Sequence, residues 1–197
     1  MLSQRQKIIK RGFDFLFSVI LLPLLLLPIL LFSLVSLLVH YPQGGWFTQA
    51  RIGKEGHSFR LYKIRTLKGK NHQDIIQIQE AGTPFGMWLR NTKLDELPQL
   101  FNVLKGDMSF VGPRPDVTGY ADVLQGEDRI ILSVRPGVTG PATLKYKNED
   151  AILREQPNPL YYNDTVLWPD KVQINKEYIK NWSFQKDLQY LLQSVFL

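Results

Sequence analysis

From Phe15 to Val39 the chain runs for 25 residues without a charge, FLFSVILLPLLLLPILLFSLVSLLV. As a straight helix this stretch would reach about 37 Å, against a hydrocarbon core of about 30 Å. It is too long for a secretory signal and lacks a small-residue cleavage site, so it is expected to stay in a membrane. Arg5, Lys7, Lys10 and Arg11 precede it, and Arg51, Lys54, Arg60, Lys63 and Arg65 follow it. Positive charge on both flanks draws both ends to the cytoplasmic side, and the sequence offers no second hydrophobic segment to reverse the topology. Pro23 and Pro28 each remove a backbone donor and favour a kink. A kinked spanning anchor and a bent helix that enters and leaves by one face both satisfy these features.

The rest of the chain, about 40–197, is polar enough for a water-facing domain and shows no repeat. The 197 residues carry 24 Lys and Arg against 18 Asp and Glu, a net charge of +6, with no cysteine and three histidines. The missing cysteine excludes a disulfide scaffold, a thiolate metal site and a cysteine nucleophile. His40, His57 and His72 are too scattered for a zinc site or a Ser-His hydrolase. Tyr41-Pro-Gln-Gly-Gly reads as a turn. Trp46–Gln49 and Ser58–Arg65 read as short strands around a turn containing Gly53 and Gly56. Residues 68–82 read as a loop or a marginal helix. Helical spacing runs from Leu94 to Lys105, with Leu97, Phe101 and Leu104 on one face and Gly106 as the stop. Ser183 can cap a last helix whose apolar face is Phe184, Leu188, Leu191, Leu192, Val195 and Phe196. That face suits either a core or the membrane interface.

The residues that carry chemistry are concentrated after Arg90. Pro98 fits a helix only in its first turn, which places Asp95 and Glu96 at an N-terminal end, where carboxylates and bound phosphate are stabilised. With a reference pKa of about 3.9, Asp95 is expected to be an anion at neutral pH and available as a nucleophile. Glu96 beside it can hold Mg²⁺, which relieves the repulsion between the two. The plainer alternative makes Asp95 a cap and Glu96 a solvated charge. Arg114 is held stiffly between Pro113 and Pro115, Arg135-Pro-Gly-Val-Thr-Gly reads as a turn, and Lys63 and Arg65 alternate along a strand. Fixed cations around an acidic pair suit a diphosphate. A basic surface on anionic lipid, as in a non-catalytic membrane-anchored adaptor, is the competing reading. No recognition-helix or single-strand-binding pattern points to nucleic acid.

These residues resemble the bacterial sugar transferases, the monotopic polyprenol-phosphate phosphoglycosyl transferases. The similarity covers nearly the whole chain. It rests on the hydrophobic N-terminal hairpin, Phe47-Thr-Gln-Ala-Arg-Ile-Gly, Tyr62-Lys-Ile-Arg-Thr and Arg135-Pro-Gly-Val-Thr-Gly. The most specific block is Leu94-Asp-Glu-Leu-Pro-Gln-Leu-Phe-Asn-Val-Leu-Lys-Gly-Asp-Met-Ser-Phe-Val-Gly-Pro-Arg-Pro. The resemblance implies a helix-rich α/β fold with two parts. Residues 1–40 would form a re-entrant helix-break-helix segment with Pro28 at the break. Residues 41–197 would form a small cytoplasmic-face catalytic domain with short strands and amphipathic interfacial helices. It implies transfer of a sugar-1-phosphate from a UDP-sugar to polyprenyl (undecaprenyl) phosphate with release of UMP, starting glycan assembly at the inner membrane. Asp95 is then the nucleophile that becomes a covalent aspartyl-phosphosugar, and Glu96 the Mg²⁺ ligand. Lys63, Arg65, Arg90, Arg114 and Arg135 become phosphate or nucleotide contacts. The apolar faces leave room for a homo-oligomer.

Four positions depart from that pattern. Leu27 stands where Ser often precedes the break proline, Leu67 where Met is common, Pro141 where Trp is common, and Asn175 where relatives often carry Asp. Asn175 puts an accessory metal contact in doubt. The divergence after residue 140 leaves the identity of the sugar open.

Overall fold

The computed structural model describes residues 2–69 and 80–196, so most of the polar stretch read as a loop or marginal helix, 70–79 with His72 among it, lies outside the described residues. The fold is helix-rich α/β. Helix α1 (Gln4–Val39) is followed by strands β1 (Trp46–Ile52) and β2 (Ser58–Ile64), then by α2 (Pro84–Asn91), a 3₁₀ turn at Leu94–Glu96, and α3 (Gln99–Lys105). Strand β3 (Ser109–Val111) is followed by two 3₁₀ segments and strand β4 (Gly137–Thr139). Helices α4 (Pro141–Lys145), α5 (Glu149–Arg154) and α6 (Pro159–Tyr162) come next, then a π-helical turn at Asn163–Leu167, α7 (Trp168–Lys180) and α8 (Phe184–Phe196). Among the described residues β1 pairs with β2, and β3 with β4.

The chain condenses into two compact units that interleave in sequence. One gathers the residues up to Asp14, Arg51–Phe59 and everything from Gly106 on, and the other gathers Phe15–Ala50 and Arg60–Lys105. Helix α1 contributes to both and stays helical through Pro23 and Pro28, without the expected interruption. A proline inside a helix removes one hydrogen bond and need not end it when neighbouring turns hold. Leu16, Ile20, Leu24, Leu27, Leu30 and Leu38 stand exposed along it. By length and composition α1 can cross a membrane.

In the second unit, Ile29, Leu61, Ile64, Leu89 and Val103 are buried. Thr83 caps α2 by accepting from the Gly86 N–H at 3.0 Å, with Pro84 opening the helix. Gly86 sits against the backbone of Thr66, where any Cβ would collide. The face of α3 differs from the expected one. Gln99, Leu100, Asn102 and Val103 are buried, whereas Leu97, Phe101 and Leu104 are half-buried. The reason is polar. Asn102 donates to the Arg60 carbonyl at 2.7 Å and accepts from the Tyr62 N–H at 3.1 Å, tying α3 to β2. Hydrophobic spacing does not register such an amide. Gly106 ends α3 as expected, at φ 94°.

In the first unit, the segment expected to be only a turn, Arg135–Gly140, contains a strand, Gly137–Thr139. β4 lies parallel to β3, with Ser109 opposite Gly137 and Val111 opposite Thr139. Hydrogen bonds from Gly112 N–H to Thr139 O (2.9 Å) and, outside the strand register, from Gly137 N–H to Pro113 O (2.8 Å) hold the two segments together. A Cβ on Gly112, Gly137 or Gly140 would strike the facing backbone, which explains the glycines of both motifs. Asp14 accepts from Ser109 Oγ at 3.0 Å and from the Phe110 N–H at 3.1 Å, so the start of α1 is fixed to β3. Asp187 of α8, buried, accepts from Lys10, from Tyr178 Oη at 2.7 Å and from Trp182 Nε1 at 2.9 Å. Ser183 caps α8 through the Lys186 N–H. Phe184 packs on Phe13 with ring centres 5.1 Å apart, while Leu188, Leu192, Val195 and Phe196 are exposed. Packing therefore claims Phe184 and half-buries Leu191, and leaves the rest of the apolar face open.

Candidate active site

Asp95 and Glu96 occupy their own three-residue 3₁₀ turn between α2 and α3, entered through Lys93 in the left-handed region (φ 59°). They are not the first turn of α3, and three residues carry little macrodipole. The field at this pair is instead set by side chains. Strand β2 delivers Lys63, whose Nζ lies 2.7 Å from Glu96 Oε1, both side chains largely buried. Asp95 is only 4% exposed. Burial raises its pKa above the ordinary carboxylate range; Lys63 pulls it down, Glu96 pushes it up, and Arg90 and Lys93 pull it down more weakly. Among the described residues, no hydrogen bond to the Asp95 carboxylate offsets its burial. The anion expected from the reference pKa is therefore harder to form in the folded chain, and the cations have to sustain it.

This unit thus brings together four of the expected residues, Asp95, Glu96, Lys63 and Arg90. It does not bring Arg65 to them. Strand β2 ends at Ile64, and Arg65 turns to the carbonyls of Gly44 (3.0 Å) and Trp46 (3.3 Å) and lies 5.7 Å from the Phe47 ring centre. The alternation that would have put it beside Lys63 stops one residue short.

Arg114 and Arg135 belong to the other unit. Arg135 donates from Nε to the Gly106 carbonyl at 2.7 Å. Arg114 is exposed and lines a small recess with Gly53, Pro113, Asp116 and Pro136. Sequence reasoning passed over Asp116. Burial pushes its carboxyl up to about 7, against the pull of Lys171, Arg51 and Arg114. Its signal was its place directly after Pro113-Arg114-Pro115. Its backbone carbonyl also accepts from the Ile52 N–H at 2.9 Å. Asn175 is buried on α7, and its Oδ1 has no hydrogen-bond partner among the described residues.

Among the described residues no group of three or more His, Asp or Glu could cage a metal. Mg²⁺ commonly takes one or two carboxylates and completes its shell with phosphate oxygens and water. The Asp95–Glu96 pair fits that smaller role, since Glu96 already accepts a cation, the Lys63 ammonium.

The chain is 35% identical over 179 residues to the UDP-N-acetylgalactosamine-undecaprenyl-phosphate N-acetylgalactosaminephosphotransferase of Aeromonas hydrophila, covering 85% of this chain and 42% of that one. It is 33% identical to the uncharacterized sugar transferase EpsL of Bacillus subtilis, covering 95% of this chain and 86% of that one. It is also 33% identical to the UDP-glucose:undecaprenyl-phosphate glucose-1-phosphate transferase of Caulobacter vibrioides, covering 89% of this chain and 64% of that one. The chain thus spans less than two thirds of the Aeromonas and Caulobacter relatives. Nearly its whole length, residues 5–197, follows the pattern of the bacterial sugar transferases, the family to which this chain belongs.

Proposed function

We propose that the chain transfers a sugar-1-phosphate from a UDP-sugar to undecaprenyl or another polyprenyl phosphate, releasing UMP and starting a lipid-linked glycan such as a capsule, exopolysaccharide, O-antigen or glycoprotein glycan. The observation that carries this reading is a buried carboxylate, Asp95, unbonded by the described residues and set among Lys63, Arg90 and Lys93 beside a second carboxylate. Two relatives named for undecaprenyl-phosphate sugar-phosphate transfer support it.

In the first step an Asp95 carboxylate oxygen attacks the sugar-bearing phosphorus of the donor. The P–O bond to UMP breaks, and an aspartyl-phosphosugar forms. In the second step an oxygen of polyprenyl phosphate attacks the same phosphorus and Asp95 leaves as a carboxylate. Lys63 and Arg90 bind phosphate oxygens and hold the donor for in-line attack. Burial around Asp95 keeps water from the acyl phosphate. Mg²⁺, held by Glu96, would neutralise charge developing on the diphosphate. Arg114 and Arg135 are proposed as further phosphate or nucleotide contacts, and Arg65 is the weakest candidate because it is committed to the 44–47 turn. The acceptor carries its phosphate at the membrane surface. A helix entering and leaving by the cytoplasmic face of the inner membrane, with Pro28 at its bend, would hold residues 41–197 there.

The experiment is intact-protein mass after incubation with Mg²⁺ and a panel of UDP-sugars, without acceptor. A sugar-phosphate adduct with about one equivalent of UMP, both absent in Asp95→Asn, is expected. Full turnover by Asp95→Asn would remove the nucleophile assignment.

A further inference from the structure

We propose that Lys63 is an exchangeable counter-cation. It neutralises Glu96 while the site is empty, and it passes to the donor's diphosphate when a divalent cation takes its place. The proposal rests on the reading of Glu96 as the metal ligand. Its basis is the ion pair itself: Lys63 Nζ lies 2.7 Å from Glu96 Oε1, with the two side chains 17% and 12% exposed. Lys63 is also the strongest attractive charge on Asp95. One ammonium therefore serves two neighbouring carboxylates.

A dication cannot join this arrangement unchanged. It would sit against the ammonium on the same carboxylate, in a place shielded from the water that would screen them. The Lys63 backbone is not free to retreat, because Asn102 fixes β2 just before it, at Arg60 O and Tyr62 N. Only the four-carbon stem can move, and it needs an anion within its reach. The diphosphate that arrives with the metal is that anion, and a lysine ammonium suits phosphate as a point charge. Metal and diphosphate then bind cooperatively, and each strengthens the other by the same factor. A metal arriving alone has to break the Lys63–Glu96 pair with no new partner for the ammonium, so the empty enzyme discriminates against it.

The test is Mn²⁺ binding to the full chain, read by the electron paramagnetic resonance of free Mn²⁺, without and with UDP and corrected for the Mn²⁺–UDP complex. In the wild type, UDP is expected to tighten Mn²⁺ about tenfold. Lys63→Met should bind Mn²⁺ alone about tenfold more tightly than wild type and gain little from UDP. Lys63→Arg keeps the ion pair and should bind Mn²⁺ alone no more tightly than wild type, so it tests the idea even if Lys63→Met does not fold. Lys63→Met binding Mn²⁺ alone no better than wild type overturns the exchange, as does Lys63→Arg binding it more tightly. Either of these leaves the reading of Glu96 standing if Glu96→Gln abolishes Mn²⁺ binding. Glu96→Gln binding Mn²⁺ as wild type does removes that reading, and the exchange with it.

Discussion

Two of the buried carboxylates near lysines, Asp187 and Asp95, are treated in opposite ways. Asp187 accepts from Lys10, Tyr178 and Trp182, so both of its oxygens are bonded. Asp95 is buried to a similar degree, yet no hydrogen bond from the described residues offsets its desolvation. A buried carboxylate whose bonds are made holds structure together, whereas one whose bonds are withheld keeps its reactivity for a ligand. The marker of the reactive group is thus burial without bonds; burial alone describes both.

The largest effect expected is on turnover. Asp95→Asn should reduce UMP release by at least about 10³-fold, as loss of a nucleophile does. The thermal midpoint should hold or rise, because a desolvated charge has been removed. A large fall in the midpoint would mean that Asp95 is structural after all.

Asp187→Asn should do the reverse. It removes the carboxylate that buried Lys10 is paired with, which costs about 3–5 kcal/mol in unfolding free energy measured by denaturant titration. Lost turnover at an unchanged midpoint would erase the contrast between the two groups.

Gly137→Ala touches neither carboxylate. It sets a Cβ against the backbone at Gly112 and should cost about 1–3 kcal/mol by the same titration. A neutral result would show that the β3–β4 pair yields more easily than its glycines suggest.

The last effect is a pH dependence. Asp116 is pushed up to about 7 by burial. Its folded pKa lies above the unfolded value of about 3.9, so between these limits the unfolded chain binds fewer protons than the folded one. Its contribution to stability is therefore whole at low pH and is lost as pH rises to about 7. Asp116→Asn should flatten that decline, which midpoints measured from pH 4 to 8 would show. An unchanged slope would place Asp116 among the bonded carboxylates with Asp187.

Local information was enough for several elements. The β1–β2 hairpin, the Gly106 stop and the Ser183 cap each depend on neighbours a few residues away, and sequence reasoning finds them. The apolar run Phe15–Val39 is likewise legible, because a charge-free length needs no partner to be recognised. The β3–β4 pair was not legible. It joins residues 28 apart in sequence through backbone groups, and three-residue strands have no periodicity to detect. The face of α3 was misread for a related reason, since Asn102 is buried by bonds to β2 rather than by its own hydrophobicity.

The Asp95–Glu96 pair shows the same division at the scale of the site. Adjacent carboxylates and the cations near them are facts of composition and spacing, and the family is legible in the motifs that resemble it. Which cation reaches the pair is a matter of tertiary structure. Lys63 and Arg65 look alike in sequence, yet β2 ends between them, sending one to Glu96 and the other to Gly44 and Trp46. The environment of Asp95 was decided there too, because desolvation depends on what packs around a side chain in space, and no nearest-neighbour pattern encodes it.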